Sequence, residues 1–220
     1  MTSAVKTRRH YDSQRRRQQA AQTRRDIETA ANKLFRERGY VGTSMPAIAK
    51  EAAVVVETIY RAFGSKAGLF KAVIEAALAG GSERAEAPPA ERPAIRAVIE
   101  ETDPSRKLEL YAATQPGVHG RSSPLYRVLV AAADGDPELR DLLDGLEARR
   151  LHGLGGLAAQ LAESRALRSN LSVEDARDII WTLCSTSVHD CLVRERGWAS
   201  ERYRDWLATA LKRELLAQGA

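Results

Sequence analysis

The sequence predicts an all-α protein, on three observations. Period-two alternation is scarce, and the helix formers Ala, Leu, Arg and Glu dominate. Apolar residues recur at three- and four-residue spacings between recognisable caps. From Asp26, the residues Ile27, Ala30, Ala31, Leu34 and Phe35 fall at i, i+3, i+4, i+7 and i+8, one face of a first helix. Gly39 stands where a C-cap glycine belongs. Thr43 or Ser44 can cap a second helix carrying Met45, Ile48, Ala49 and Ala52, with Pro46 in its first turn, where a missing N–H costs little. A short third helix carries Val54, Ile59, Tyr60 and Phe63. Gly64-Ser65 breaks the chain, and Ser65 can cap a fourth helix through Leu69, Phe70, Val73 and Ile74 to about Gly80.

Residues 81–93 have linker composition. Beyond them, helices are expected over Pro93–Thr102, over Ser105–Gln115 with an interruption at Pro116-Gly117, and over Pro124–Ala133. Asp136-Pro137 is an N-cap followed by proline at the first helical position. It opens a run through Leu139, Leu142, Leu143 and Leu146 that Gly153, Gly155 and Gly156 weaken. Ser172 to Asp175 resembles a capping box, opening a helix through Leu192 that stops at Gly197. Ser200 is expected to cap the last helix. The domain reading is a flexible basic extension (1–21), a DNA-binding domain (22–66), a connecting helix and linker (67–92) and a helical domain (93–220).

Charge is distributed unevenly. Residues 1–80 carry 15 Lys and Arg against 7 Asp and Glu, whereas residues 81–220 carry 19 against 22. A basic front on a slightly acidic body suggests a polyanion that meets one end only. The extension itself also reads as a solvated tail, and the two readings are compatible. Two cysteines, no signal-type apolar run and no 18-residue uncharged stretch argue against secretion, a disulfide framework and membrane spanning. The expectation is a cytoplasmic protein with no membrane partner.

Thr43–Phe63 form a helix-turn-helix candidate, a unit that lays its second helix in the DNA major groove. Thr23-Arg24-Arg25, Ile27, Ala30-Ala31, Leu34-Phe35, Arg38-Gly39-Tyr40, Thr43-Ser44, Ile48-Ala49, Thr58-Ile59-Tyr60-Arg61, Phe63 and Ser65-Lys66 follow one another in an order that resembles the N-terminal domain of TetR/AcrR-family transcriptional regulators. The resemblance implies an all-α homodimer whose three-helix DNA-binding domain joins, through the fourth helix, a helical domain for dimerisation and a small-molecule effector. Carried over by position, Thr43 and Ser44 donate to phosphate, Thr58, Tyr60 and Arg61 face DNA, and Lys66 holds a further phosphate. Arg24 and Arg25 clamp the backbone or reach the minor groove. The chain departs from the family at Ala53-Val54-Val55-Val56, where glycine is common in the turn and Ser or Thr in the cap. Val55 supplies no capping oxygen, and Val55, Val56 and Glu57 are where sequence preference is expected.

The C-terminal half carries no phosphate loop, no G-x-S-x-G elbow and no H-E-x-x-H, so no catalytic residue, cofactor or metal is expected. Cys184, His189 and Cys191 invite a metal or thiol idea, but two buried structural cysteines fit better. Tyr111, His119, Tyr126 and Trp181 are candidates to line an effector pocket, or else ordinary core. The functional expectation is a ligand-responsive regulator, a repressor by family habit, binding a palindromic operator on double-stranded DNA as a homodimer. The alternatives are a largely nonspecific DNA binder driven by the basic arm, and a small-molecule-binding protein or enzyme on a helix-turn-helix scaffold.

Overall fold

The computed structural model describes residues 3–217, with side chains from residue 15 onward. The chain divides into two units, Met1–Val73 and Ile74–Ala220. Among the described residues the fold is all-α, its only extended pairing an isolated antiparallel bridge between Leu167 and Leu216.

The first unit holds α1 (Ser3–Arg38), α2 (Met45–Glu51), α3 (Val56–Phe63) and the start of α4 (Lys66–Ala79). The first helix starts far ahead of Asp26, because no Gly or Pro stands before Gly39 and the intervening Arg, Gln and Ala favour helix. Gly39 ends it at φ +70°, its N–H donating to the Phe35 carbonyl at 3.0 Å. The expected face of α1 (Ile27, Leu34 and Phe35) is fully buried, as are Ile48 and Ile59; Val54 and Phe63 are only half-buried. Phe35 meets Phe70 of α4 with ring centroids 4.6 Å apart, and Tyr40 completes the cluster at 5.3 Å from Phe70. Lys33 and Glu51 pair at 2.7 Å, joining α1 to α2 at the surface.

The turn between α2 and α3 has a specific chemistry. The Val54 N–H donates to the Ala49 carbonyl at 3.0 Å and the Ala53 N–H to that of Lys50 at 3.3 Å. This is a Schellman ending, whose left-handed position normally goes to glycine. Ala53 occupies it at φ +53°. Then α3 begins at Val55 with no side-chain cap, as the sequence implied.

In the second unit the linker stretch folds into α5 (Ser82–Glu86) and a 3₁₀ turn (Pro89–Glu91), followed by α6 (Pro93–Glu100). The expected break at Pro116-Gly117 is absent: α7 (Pro104–Ala133) runs unbroken through Pro116 and Pro124. Each internal proline removes a backbone bond and costs about 3 kcal/mol. Against that cost α7 buries one long face, including Leu108, Ala112, Leu125 and Leu129. Lys107, buried at the start of α7, donates to the carbonyls of Val98 and Ile99 and to Gln160 of α8, so it caps the end of α6. Similarly, α8 (Pro137–Glu163) is continuous through Gly153, Gly155 and Gly156, with Asp136 as its cap.

The capping box at Ser172 forms as expected, and α9 (Val173–Leu183) starts there. It does not continue to Leu192. The helix ends at Leu183, Ser185 caps a new turn, α10 (Thr186–His189), and a π-helical stretch (Asp190–Glu195) follows. Ser185 competes for backbone N–H groups and so favours a fresh start over continuation. The register change leaves Cys184 buried but Cys191 exposed, correcting the expectation of two buried cysteines. Finally α11 (Ser200–Leu215) is preceded by Ala199 at the cap position, so Ser200 is its first residue and not its cap. It packs on α7 and α9 through Tyr203, Leu207, Leu211 and Leu215.

Replacing Ala53 by Gly should relieve the left-handed strain of an L-residue and raise stability by about 1 kcal/mol. A thermal midpoint for Ala53→Gly equal to or below that of the wild type would contradict this.

Candidate nucleic-acid interface and the buried polar cluster

Eight residues make up α3, and its solvent face is set by the helical period. Ile59 is fully buried, Val56 and Thr58 are half-buried, and Val55, Glu57, Tyr60 and Arg61 are exposed. Tyr60 is 49% exposed and Val55 65%, unusual for residues of that size beside a core.

The surrounding polar residues divide into two groups. Ser44 is exposed at the N-cap of α2, its Oγ accepting from the Ala47 N–H at 3.3 Å. The hydroxyl proton remains able to donate outward. Thr43 behaves differently. It is 1% exposed, and its Oγ1 donates to the carbonyls of Leu34 (3.1 Å) and Gly39 (2.7 Å). The expectation that Thr43 donates to phosphate is therefore corrected: its hydroxyl satisfies two carbonyls at the end of α1.

Arg24 is also redirected. Its Nη1 donates to the Ala62 carbonyl at 3.0 Å, its Nε pairs with the buried Glu28 at 3.1 Å, and its guanidinium lies 4.2 Å from the Phe63 ring centre. These contacts hold the C-terminal end of α3 against α1, so Arg24 positions α3. Arg25 donates to Gln22 at 2.8 Å, and Lys66 sits 4.2 Å over the Tyr40 ring. Sequence reasoning missed that seat for Lys66, although Tyr40 stands in the motif. Ser65 caps α4 by accepting from the Gly68 N–H at 2.9 Å. A Cβ on Gly68 would lie 2.3 Å from the Phe63 carbonyl oxygen, so only glycine allows α4 to start this close to the end of α3. The side chains of Lys6, Arg8 and Arg9 lie outside the described residues.

The four pocket candidates in the second unit do not form one site. Tyr126 and Trp181 are joined through Glu147, which accepts from the Tyr126 hydroxyl and, at 3.2 Å, from Trp181 Nε1. His119 lies elsewhere, in the core. Its ring stacks on His189 with centroids 4.9 Å apart, and His189 meets Tyr203 edge-on at 5.1 Å. Tyr111, two turns before His119 on α7, packs against the same core. His119 and Tyr203 are both buried; among the described residues the Tyr203 hydroxyl makes no hydrogen bond, and the His119 imidazole has only the Cys184 backbone within reach.

Beside this apolar-walled cluster stands a satisfied network. Asp190 accepts from Ser123 at 2.5 Å and from Arg127 at 2.6 Å, and its carboxylate faces His189 Nδ1 at 3.2 Å. Burial pushes the Asp190 carboxyl up, but these three hydrogen bonds outweigh it and hold the group below its ordinary range. Sequence reasoning missed Tyr203, Asp190, Ser123 and Arg127, since the network joins α7 to residues more than sixty positions later in the chain. Burial raises the Tyr111 and Tyr203 phenols and pushes the Cys184 thiol up to about 12.

Comparison with known proteins adds to this geometry. Residues 27–73 match the profile described as bacterial regulatory proteins, tetR family. Among solved structures, NalD, the secondary repressor of the MexAB-OprM multidrug efflux pump in Pseudomonas aeruginosa, is 21% identical, with a TM-score of 0.70 over 92% of this chain and 100% of its own. The Bacillus subtilis transcriptional regulator FadR, solved with stearoyl-CoA, is 20% identical, with a TM-score of 0.67 over 86% of this chain and 97% of its own. A Saccharomonospora viridis structure in complex with choline is 18% identical, with a TM-score of 0.68 over 90% of this chain and 100% of its own. These likenesses establish the fold. A comparison with curated proteins finds no match.

Burial, then the neighbouring His189 and Arg150, push His119 down to about 3 from its ordinary 6.5. An unfolded chain therefore takes up a proton below about 6.5 that the folded chain refuses until about 3. Stability present at neutral pH should fall as pH drops through that window, by roughly 2–3 kcal/mol at pH 4.5. Denaturant unfolding at pH 7 and 4.5 checks this: His119→Leu should lose less on acidification than the wild type, and an equal loss would refute the assignment.

Proposed function

We propose, from the match of residues 27–73 to the profile described as bacterial regulatory proteins, tetR family, that this chain is a sequence-specific transcriptional regulator of double-stranded DNA. The observation that carries this reading is the displayed face of α3, with Val55, Glu57, Tyr60 and Arg61 exposed above a buried Ile59. In the bound complex α3 enters the major groove. Val55 and Val56 contact thymine methyls, and Glu57 accepts from a cytosine amino group. Tyr60, Thr58, Ser44 and Lys66 hold phosphates on either side, Arg61 and Arg25 add positive charge, and Arg24 keeps α3 in place. The chain works without catalysis, in the cytoplasm, as a repressor.

A homodimer reads a palindromic operator, since a two-fold axis presents two copies of α3 symmetrically. The supporting feature is an open groove between α9 and α11, floored by Leu171, Ile179, Leu183, Trp206 and Ala210. A second copy covers it with the same two helices. The small-molecule effector binds in the second unit against Tyr111, His119 and Tyr203, where unpartnered polar atoms face an apolar core. Structures of this fold have been solved with stearoyl-CoA and with choline, so the fold accommodates quite different ligands. The effector acts through α4, which starts in the first unit and ends in the second, its Ala77 carbonyl held by Arg121 of α7 at 2.9 Å. A ligand changes DNA affinity only as far as it prefers one arrangement of α4 over another.

Selection of bound duplexes from a fragmented-genome pool, with purified protein at about 0.15 M salt, should enrich a two-fold symmetric motif. An unenriched pool would overturn the sequence-specific reading. On the enriched duplex, Tyr60→Phe and Lys66→Ala should each lower affinity about fivefold, the worth of one phosphate hydrogen bond. Wild-type anisotropy curves in both variants would remove these contacts from the interface.

A further inference from the structure

Residues 1–25 hold eight Lys and Arg against one Asp, and residues 15–25 hold five Arg and no acid. The sequence suggested a flexible tail here, but α1 is helical from Ser3 onward. Its apolar face begins only at Ile27, and residues 15–22 are exposed on every side of the helix. Between Arg15 and Ile27 the helix advances about 18 Å, at 1.5 Å per residue. Packing against the core does not account for this segment's charge.

Its direction is set by Arg24. That side chain reaches the Ala62 carbonyl and the Phe63 ring, so its side of α1 borders the C-terminal end of α3. Arg17 precedes Arg24 by seven residues, which brings it to within about 20° of the same side and about 10 Å farther along the axis. The basic stretch thus leaves the domain alongside the helix that displays Tyr60 and Arg61. Duplex DNA carries one negative charge per about 1.7 Å of axis, and the arginine fork matches phosphate.

We propose that the N-terminal extension of α1 is a basic helical arm that binds the phosphate backbone of the duplex next to the segment read by α3. The proposal rests on the DNA-binding reading and adds an element to it. As a preformed helix the arm holds Arg15, Arg16 and Arg17 in fixed register, so it loses less conformational entropy on binding than a disordered polycation. It carries affinity without sequence preference, because phosphates are the same in every duplex.

Two variants of the full chain test it by anisotropy over a salt series. Replacing Arg15, Arg16 and Arg17 together by Ala should lower the slope of log affinity against log salt by about 2 to 3. It should weaken the selected duplex and an unrelated one by the same factor, on the order of tenfold at 0.15 M salt. Ala20→Pro keeps every charge but breaks the arm's helix, and should lose most of that affinity with an unchanged thermal midpoint. An unchanged slope and affinity in the triple variant, with the wild type still selecting its motif, overturns the arm alone. A weakened triple variant beside an unaffected Ala20→Pro variant overturns the helical arm in favour of a tail. A wild type that selects no duplex overturns the regulator reading and the arm with it.

Discussion

A helix of eight residues such as α3 cannot stand by itself. Isolated helices shorter than about 12 residues are marginal in water, and α3 also lacks a side-chain cap at its start. Everything in the first unit can be understood as a response to this. Ile59 anchors the middle of α3, the Schellman turn through Ala53 sets its entry, and Arg24 engages its Ala62 carbonyl from α1. Gly68 lets α4 approach the Phe63 carbonyl from the other side. The Phe35, Phe70 and Tyr40 cluster then fixes α4 against α1. Glu57, Tyr60 and Arg61 are thereby left exposed on α3, outside the packing that holds the helix.

That division of labour also explains why some residues changed role between sequence and structure. Hydroxyls and cations are what phosphates select, but they are equally what the ends of helices need. Thr43 and Ser44 are adjacent and chemically alike, yet one turns inward to the carbonyls of Leu34 and Gly39 and the other caps α2 at the surface. Arg24 and Arg25 show the same split. Nothing in a one-dimensional pattern distinguishes such neighbours, because the outcome depends on a 100° rotation about α1 and on what α3 brings near. The buried face of α1, the cap at Gly39, the uncapped start of α3 and the capping box at Ser172 were all readable, since each depends on residues within one or two turns of each other.

The second unit was readable as helices but less so in its boundaries. Local rules placed a break at Pro116 and a weak point at Gly153, Gly155 and Gly156 of α8, and long buried faces carried both helices through. Where the rules predicted continuation, at Cys184, the chain stopped and restarted on Ser185. Tyr111, His119, Tyr126 and Trp181 were equally suggestive as aromatic or imidazole residues in apolar helices. Separating them took the fold, which joins Tyr126 to Trp181 through Glu147 and brings His119 to His189 and Tyr203.

The two buried clusters in that unit follow opposite logic. Asp190 is paired on several sides by Ser123, Arg127 and His189, and such a network stabilises because each member is satisfied. Among the described residues the buried Tyr203 hydroxyl has no partner and the His119 imidazole has only the Cys184 backbone near it, and each unmet polar atom carries a desolvation cost of about 1–3 kcal/mol. A core selected for stability alone would have put Leu and Phe at these two positions. Retaining an imidazole and a phenol there lowers the stability of the core. The helix that carries His119 also holds the final turn of α4, where Arg121 donates to the Ala77 carbonyl.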